Sequence, residues 1–322
     1  MAAEFDLIQR YFSHIGASRA DVILGVGDDC ALLQIPEGQQ LAVSIDTLVE
    51  GVHFVAGSDP ESLGHKALAV NLSDLAAMGA QPAWATLALT LPASDTDWLT
   101  AFSHGFATLA RQTGVQLVGG DTTRGPLSIS IQVHGFIAIG EALRRSGAAP
   151  GELIAVTGGL GDAGLALQQQ LAGVPRNPLW QRLERPLPRL AAGQALVGVA
   201  RAAIDISDGL VADLGHICRA SGVGASLELS RLPLSPAVRE QVQSSGDWSL
   251  PLSAGDDYEL CVTVPAADWE AAVRQVTAAG DVLTPIGVIE TEPGIRCRTA
   301  AGGLVQPLED GYQHFTGQVG RI

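Results

Sequence analysis

The stretch "ALAVNLSDLAAMGAQPAWATLALTL", residues 67–91, decides the fold of the first half of the chain. Its first part is apolar apart from a few polar positions and contains a single acidic residue, Asp74, which is typical of a buried helix. The part from 83 to 91 alternates as a β-strand does. Gly79 and Pro82 interrupt the uncharged run between them, so the stretch predicts a helix followed by a strand and not a membrane span.

The same pattern analysis predicts an α+β protein. In the first half we expect helices over 4–15, 60–78 and 95–113, and strands over 22–24, 30–35, 41–46, 83–91, 115–118 and 127–139. In the second half we expect helices over 162–172, 188–199, 209–221, 236–243 and 266–279, and strands over 152–157, 203–206, 225–229, 258–264, 282–289 and 294–299. A Gly-, Ala- and Pro-rich segment at 144–152 predicts a boundary between an N-terminal α/β sandwich domain, 1–143, and a C-terminal α/β domain, 144–322.

Charge restricts the classes of partner. The chain has 322 residues and a formal net charge of −15, which argues against a nucleic-acid partner. Lys66 is its only lysine, so phosphate chemistry here must use arginine, backbone N–H groups or metal ions. Four cysteines lack the spacing of a zinc site or a disulfide framework, and the acidic, amphipathic N-terminus is unlike a secretory signal. These features predict a cytoplasmic protein with no membrane partner.

Aspartates stand at the ends of apolar segments or inside them. They are Asp28 and Asp29 in "LGVGDDCALL" (24–33), Asp46, Asp74, Asp121, Asp205 and Asp208. Each has a purely structural explanation when taken alone. Asp208 would serve as a helix N-cap, Asp121 as a turn cap, Asp28 as a solvated turn residue, and Asp74 as a buried partner of Asn71.

Taken together, these carboxylates indicate bound cations. Two bare carboxylates 4 Å apart repel by about 4 kcal/mol at an effective dielectric constant near 20. Oxygen ligands without histidine or cysteine favour a hard divalent ion, and Mg²⁺ commonly keeps water ligands and bridges to substrate phosphates. The aspartates therefore predict several Mg²⁺ ions and a phosphate-bearing substrate.

Two glycine-rich segments carry different predictions. "VTGGLGDAGLAL" (156–167) fits G-x-G-x-x-G between a strand and a helix, as in a nicotinamide-dependent oxidoreductase. The acidic residue expected about twenty positions later is missing, since Glu184 lies in a proline-containing segment predicted as a loop. We therefore interpret these glycines as permitting close helix–strand packing. "LVGGDTTRGPLS" (117–128) is the better phosphate loop, with paired glycines, a carboxylate and Arg124.

Ordered motifs along nearly the whole chain resemble the thiamine-monophosphate kinase family, which shares a superfamily with aminoimidazole-ribonucleotide synthetase and selenophosphate synthetase. The motifs are "GVGDDCAL", "SIDTLVEGVHF", "KALAVNLSDLAAMGAQP", "GGDTTRG", Arg145–Gly151, "IDISDGL", "AGDDYEL" and "GYQHF". The resemblance implies transfer of the γ-phosphoryl group of ATP to thiamine monophosphate, and we predict that this transfer is in line and without a phosphoenzyme. It also implies a homodimer formed through the N-terminal sheet.

The resemblance further assigns roles to individual positions. The Mg²⁺ positions are Asp29, Ser44, Ile45, Asp46, Asp74, Asp121, Asp205 and Asp208. Nucleotide contacts fall on Gly120, Asp121, Arg145 and Ser207, and thiamine phosphate contacts on His53, Asp256 and Tyr312. Asp46, Asp74 and Asp121 are expected to form a central catalytic cage, which Asp29, Asp205 and Asp208 complete from either domain.

Two positions depart from the family pattern. Ile45 replaces a hydroxyl residue, which removes a ligand only if the side chain is the ligand. Asp256 replaces a glutamate and is one methylene shorter, so its contact with substrate would pass through water or be lost. Structural explanations also exist for His53 as a half-buried strand residue, Arg145 as a solvated linker charge and Tyr312 as a packing residue of the tail.

Rival functions remain open at this point. A synthetase of the same superfamily would act on a ribonucleotide or on selenide, and the selenide reaction calls for a reactive cysteine in a flexible loop. We predict Cys30 in an apolar strand instead. A non-catalytic nucleotide or metal sensor is the alternative from another class.

Overall fold

The computed structural model describes residues 4–305, and the side chains from residue 6 onward. Tyr312 lies outside the described residues. The chain forms two compact units. Unit 1 contains the described residues up to Leu75 together with Ala80–Gly140, and unit 2 contains Ala76–Gly79 together with the described residues from Glu141 onward.

Unit 1 carries the first three helices and six strands of the described chain. The elements are α1 (Glu4–Tyr11), β1 (Val22–Leu24), β2 (Leu32–Leu33), β3 (Gln39–Val49), α2 (Pro60–Ala77), β4 (Gln81–Leu91), α3 (Thr96–Thr113), β5 (Gln116–Arg124) and β6 (Ser128–Ala138). The opening stretch is therefore a helix followed by a strand, as predicted. None of the helices within residues 4–305 is both long and apolar enough to cross a membrane.

Four strands of unit 1 form a sheet in the order β3-β6-β4-β5, with β3 at one edge. β6 runs antiparallel to β3 and β4, whereas β4 and β5 are parallel. On the inner face, Ile131 and Val133 of β6 are fully buried, and Leu75 of α2 lies against Gly135. The helical side of the opening stretch thus covers the inner face of the strand that follows it.

The outer face of this sheet is covered only in part. Trp84 and Phe136 pack there with residues of the β1–β2 hairpin. The indole N–H of Trp84 donates to Asp21, which also accepts a bidentate ion pair from Arg19. Along β3 the outward residues Leu41, Val43 and Ile45 remain exposed.

Unit 2 contains seven further helices and seven strands of the described chain. They are β7 (Leu153–Thr157), α4 (Asp162–Leu171), α5 (Trp180–Glu184), α6 (Leu190–Leu196), β8 (Ala202–Asp205), α7 (Leu210–Ser221), β9 (Gly224–Glu228), α8 (Pro236–Ser245), α9 (Ser249–Ser253), β10 (Leu260–Val264), α10 (Trp269–Ala278), β11 (Leu283–Glu290), β12 (Gly294–Arg298) and β13 (Leu304–Val305), with a short 3₁₀ helix at Leu229–Arg231. The strands form one sheet in the order β13-β12-β9-β11-β7-β10-β8.

The sheet of unit 2 argues against a dinucleotide fold. β7, which precedes the G-x-G-x-x-G glycines, pairs antiparallel with both β10 and β11. A Rossmann unit needs parallel neighbours joined by a crossover helix. The glycines do permit close packing, as predicted. Gly164 of helix α4, however, packs beside another helix and not against a strand. A Cβ on Gly164 would stand 2.4 Å from the Cβ of Ala254, directly after α9.

Several sequence predictions need correction. Glu184 ends helix α5 and is not in a loop; its nearby prolines follow the helix and do not interrupt it. Cys30 is exposed and precedes β2, because only Leu32 and Leu33 pair with β1. β5 continues to Arg124, well beyond the predicted end at 118. Its second half is polar and gives no hydrophobic signal, yet its backbone pairs with β4.

Candidate active site

Helix α2 and edge strand β3 bring polar residues together in unit 1. The hydroxyl of Ser44 donates to a carboxylate oxygen of Asp74 at 2.5 Å. One turn earlier in α2, the side-chain carbonyl of Asn71 accepts the backbone N–H of Asp46, and its amide donates to the Ala67 carbonyl. Asn71 and Asp74 lie three residues apart on one helix face, and each reaches β3. The Asp74 carboxylate therefore has a hydroxyl partner from the sheet, and the Asn71 side chain bonds to the backbone of Asp46 and Ala67.

Strand alternation separates Ile45 from its neighbours Ser44 and Asp46. Successive side chains of a strand point to opposite faces. Ser44 lies on the α2 side, whereas the Ile45 side chain is 59% exposed on the outer face. Isoleucine in place of a hydroxyl residue thus removes no side-chain oxygen from the Asp74 side. Only the main chain of residue 45 is available there.

Asp121 lies on β5, at the edge of the sheet opposite to β3. The strand register places Asp46, Ile131, Leu87 and Gly120 in one row across the four strands. With strands about 4.8 Å apart, the row spans about 14 Å. Gly120 is required in this row, because its φ is +151° and a Cβ would stand 1.9 Å from the Leu87 carbonyl oxygen. Asp121 is exposed and belongs to a strand, so the turn-cap explanation does not hold.

Three other predicted residues of unit 1, Asp28, Asp29 and His53, lie in turns. Asp28 and Asp29 are exposed, and the Asp28 carboxylate accepts the backbone N–H of Asp29. This arrangement matches the solvated-turn explanation for Asp28. His53 is half-buried in a turn and not in a strand, and its Nδ1 accepts the Val49 backbone N–H at 3.0 Å. Its neutral ring therefore carries the proton on Nε2.

In unit 2, the turn between β8 and α7 carries Asp205, Ser207 and Asp208. Asp205 is buried at the end of β8, and Ser207 and Asp208 are half-buried. Asp208 is not the N-cap predicted as its structural alternative. Gly209 occupies the cap position without a side-chain cap, and Asp213 accepts the N–H groups of the turn. Burial and the charge of Asp208 raise the pKa of Asp213 to about 7.

The segment around Asp256 lies against this turn. The backbone N–H of Asp256 donates to the Ser207 carbonyl, and that of Tyr258 donates to the Ile206 carbonyl, both at 2.8 Å. Asp256 and Tyr258 have φ values of +60° and +50°, which are uncommon for residues other than glycine. The Tyr258 hydroxyl donates to the Asp256 carboxylate at 3.0 Å. Such strained backbone clusters at ligand-binding positions and persists where the surroundings hold it.

Two buried carboxylates, Asp257 and Glu259, anchor the strained segment to its surroundings. Glu259 is fully buried and accepts hydrogen bonds from Arg182, from two nitrogens of Arg189 and from the Thr157 hydroxyl. Burial alone would raise the pKa of Glu259, but the two arginines outweigh it and lower that pKa. Asp257 accepts the Gly161 backbone N–H with both carboxylate oxygens, and burial raises its pKa well above the usual range.

Arg145 lies on an exposed segment of unit 2 that is fastened to the end of α7. The Ser221 hydroxyl donates to the Arg145 carbonyl at 3.4 Å and accepts the N–H groups of Gly147 and Ala148. Burial lowers the pKa of His216, and the charges of Arg219 and Arg145 lower it further. Arg145 therefore lies close to the outward side of α7, although its own side chain is exposed.

Family models match both halves of the chain. Residues 27–137 match the N-terminal domain, and residues 149–299 the C-terminal domain, of AIR synthase related proteins. The chain is 50% identical over 318 residues to thiamine-monophosphate kinase of Escherichia coli K12, covering 97% of this chain and 98% of the relative. The Salmonella typhimurium protein of the same name is 52% identical over an equal length. This chain belongs to the thiamine-monophosphate kinase family.

A solved structure of the thiamine-monophosphate kinase from Stenotrophomonas maltophilia has a TM-score of 0.83 at 46% identity. It covers 87% of this chain and 92% of its own. A second structure, AaThiL complexed with AMPPCP and TMP, has a TM-score of 0.77 at 31% identity and covers 88% and 89%. The family resemblance predicted from the motifs is confirmed, and so is the prediction of two α/β domains.

The sequence predicted no role for the buried residues that support the site, although two of them, Asp257 and Glu259, lie within the motif "AGDDYEL". The supporting residues are Asp213, Asp257 and Glu259. Glu259 forms ion pairs with Arg182 and Arg189. Charge in an otherwise apolar context was the available signal, since Asp213 follows "GLVA" and Glu259 precedes "LCVTV". The arginine partners gave no signal, because they are about 70 residues away in the sequence.

Proposed function

We propose that this protein transfers the γ-phosphoryl group of ATP to the phosphate of thiamine monophosphate, giving thiamine diphosphate and ADP. The observation that carries the proposal is the 50% identity, over almost the entire length of both chains, to thiamine-monophosphate kinase of Escherichia coli. A structural neighbour described as a complex with AMPPCP and TMP supports the same pair of substrates. We assign to unit 1 most of the metal contacts and part of the nucleotide contacts, and to unit 2 the others.

Magnesium is the metal that these residues suit. Ser44, Asp46, Asp74 and Asp121 offer only oxygen donors, which hard divalent ions prefer. Within residues 4–305, no three side chains of His, Cys, Asp or Glu form a group able to hold an ion by themselves. Bound Mg²⁺ would therefore take water and phosphate oxygens as further ligands, and it would screen the charge of both phosphate groups. Because about 14 Å separates their strands, Asp46 and Asp121 would serve different ions.

The protein's own residues would bind and orient the two substrates. We assign metal contacts to Asp29, Ser44, the Ile45 main chain, Asp46, Asp74, Asp121, Asp205 and Asp208, nucleotide contacts to Gly120, Asp121, Arg145 and Ser207, and thiamine phosphate contacts to His53, Asp256 and Tyr312. The His53 Nε2–H is a suitable donor to a phosphate oxygen. Gly120 has no Cβ, which favours close approach of backbone to a ligand.

Transfer needs no strong general base in this proposal. The acceptor is a phosphate oxygen that is already anionic at neutral pH, so no proton has to be removed before attack. The protein's part is positioning of the two substrates in line and cancellation of their charge, as in other phosphoryl transfers. No phosphoenzyme is formed, since the acceptor attacks the γ-phosphorus of ATP directly.

The test is a coupled assay of purified protein with ATP, Mg²⁺ and thiamine monophosphate. We expect equal amounts of ADP and thiamine diphosphate, and loss of both products when EDTA is added. ADP formed only with a ribonucleotide or selenide in place of thiamine monophosphate would assign the protein to another reaction of the superfamily. Nucleotide binding with no ADP under any of these conditions would indicate a sensor.

We further propose a homodimer formed through the outer face of the unit 1 sheet. β3 is an eleven-residue edge strand, and three of its outward residues, Leu41, Val43 and Ile45, are exposed and apolar. A long apolar edge strand is a template for pairing with another chain, and monomeric proteins normally protect such an edge with charge or bulges. A second copy of the chain would cover it.

Substituting Val43→Lys is expected to convert the dimer to a monomer. Val43 is 52% exposed in the single chain, and a lysine there would bury its charge in the interface. Val282→Lys is the matched control, because Val282 is 65% exposed in unit 2 and should leave the mass unchanged. Sedimentation velocity measures the outcome, and a monomeric wild-type protein would refute the proposed dimer.

We also propose a cytoplasmic location, for which the four free cysteines are the support.

A further inference from the structure

The turn before helix α7 is held by a residue outside every family motif described above. The first N–H groups of a helix have no intrahelical acceptor, and a side chain at the N-cap commonly supplies one. Here the cap is Gly209, with φ +118° and no side chain. A Cβ at Gly209 would stand 2.8 Å from the Ser253 backbone, so close packing also excludes the usual capping residues.

Asp213, in the first turn of α7, reaches back to the turn that precedes the helix. One carboxylate oxygen accepts the backbone N–H groups of Ser207, Asp208 and Gly209 at 3.1, 3.0 and 3.1 Å. The Asp213 side chain is buried, with only 3% of the residue exposed. A single oxygen that binds three consecutive N–H groups fixes the backbone direction of all three residues.

The same turn is also tied to the strained segment. The Ser207 carbonyl accepts the N–H of Asp256, and Gly255 approaches so closely that a Cβ there would stand 2.4 Å from that carbonyl oxygen. A rotation of the Ser207 peptide would therefore break this contact as well. Asp213 consequently sets the geometry of Ser207 and Asp208 directly. It also acts on Asp256, because the peptide group between Ser207 and Asp208 contacts both residues.

We propose that Asp213 is a positioning residue for nucleotide binding, which acts by holding the 207–209 turn and does not touch the substrates itself. The inference rests on the proposed function for its ligand, Mg²⁺ with ATP. According to this proposal, Asp213 must place one acceptor oxygen at this position. Its negative charge is not required.

Two substitutions separate geometry from charge. Asp213→Asn keeps an acceptor oxygen in place and removes the charge, whereas Asp213→Glu keeps the charge and displaces the oxygen by one methylene. We expect the dissociation constant for AMPPCP with Mg²⁺ to rise less than about fivefold in D213N and about 10- to 100-fold in D213E, the range for one lost hydrogen bond to a charged group. Isothermal titration calorimetry on the full chain measures both, and the KM for ATP should follow the same order.

Asp95→Ala is the control for a role in stability alone. Asp95 is the N-cap of α3 in unit 1 and accepts the N–H groups of Asp97 and Trp98. Its removal should lower Tm and leave AMPPCP affinity unchanged. Wild-type affinity in D213E, or weaker binding by D213N than by D213E, would overturn the proposal. Wild-type protein that binds AMPPCP but forms no thiamine diphosphate would instead contradict the proposed function, and the ranking of the Asp213 variants would still be measurable.

Discussion

Asp74→Asn is expected to leave the fold intact and to lower kcat by about 10²- to 10³-fold, the loss seen when one preorganised electrostatic group is removed. Asparagine retains an oxygen that can accept the hydrogen bond from the Ser44 hydroxyl. The negative charge is lost, however, and with it the attraction for a divalent ion beside Ser44 and Asp46. The measurement is steady-state production of thiamine diphosphate at saturating ATP and thiamine monophosphate, with circular dichroism to verify folding.

Asp97→Asn is the matched control for this substitution. It changes the same charge in the same unit, on the exposed first turn of α3, and should leave kcat unchanged. Raising the Mg²⁺ concentration should restore part of the activity of the Asp74 variant if its defect is weaker metal binding. Unaltered kinetics in that variant would mean that Asp74 and Ser44 are merely a satisfied polar pair of the helix–sheet contact.

Glu259→Ala is expected to destabilise unit 2 by about 3–5 kcal/mol, the cost of breaking a buried ion pair by removing one partner. The Glu259 side chain is 1% exposed, and its loss leaves Arg182 and the Thr157 hydroxyl without this acceptor. Arg189 keeps Asp281 as a partner at 2.7 Å, which limits the loss. A change of this size lowers Tm by roughly 10 °C for a domain of this length.

Differential scanning calorimetry measures this loss, and Arg231→Ala is its control. Arg231 forms an ion pair with Glu228 that is about half exposed on both sides, and such surface pairs contribute at most about 1 kcal/mol. A Glu259→Ala variant with a Tm equal to that of the control would contradict the buried network as a source of stability.

The lowered pKa of Glu259 also fixes the sign of a pH dependence. A carboxylate with a lowered pKa in the folded state stabilises the protein above its usual value of 4.5, and this contribution is lost as the pH falls through the lower folded-state pKa. The difference in Tm between wild type and the Glu259 variant should therefore be largest above pH 4.5 and shrink in more acidic solution.

Most helices and strands of both units followed from local patterns in the sequence, but the short elements α5, α9 and β13 were not predicted. Apolar helical segments and alternating strands are visible without knowledge of distant partners, which is why α2, β4 and α3 were predicted nearly in full. The errors in the strands lie where pairing with a distant strand overrides local composition. β5 continues through polar "GGDTTR" because β4 offers its backbone groups, and the segment predicted as a strand from residue 30 pairs with β1 only at Leu32 and Leu33.

The sequence by itself determined the family, the two α/β domains and the chemical types of the candidate ligands, because motif order and side-chain chemistry are properties of the chain. Only the tertiary structure decided which groups meet. Ser44 reaches Asp74 across 30 residues, the strand of Asp121 lies about 14 Å from that of Asp46, and Glu259 pairs with arginines 70 and 77 residues away. Those contacts depend on strand register and helix packing, which bring together residues whose separation along the chain carries no information about their distance in space.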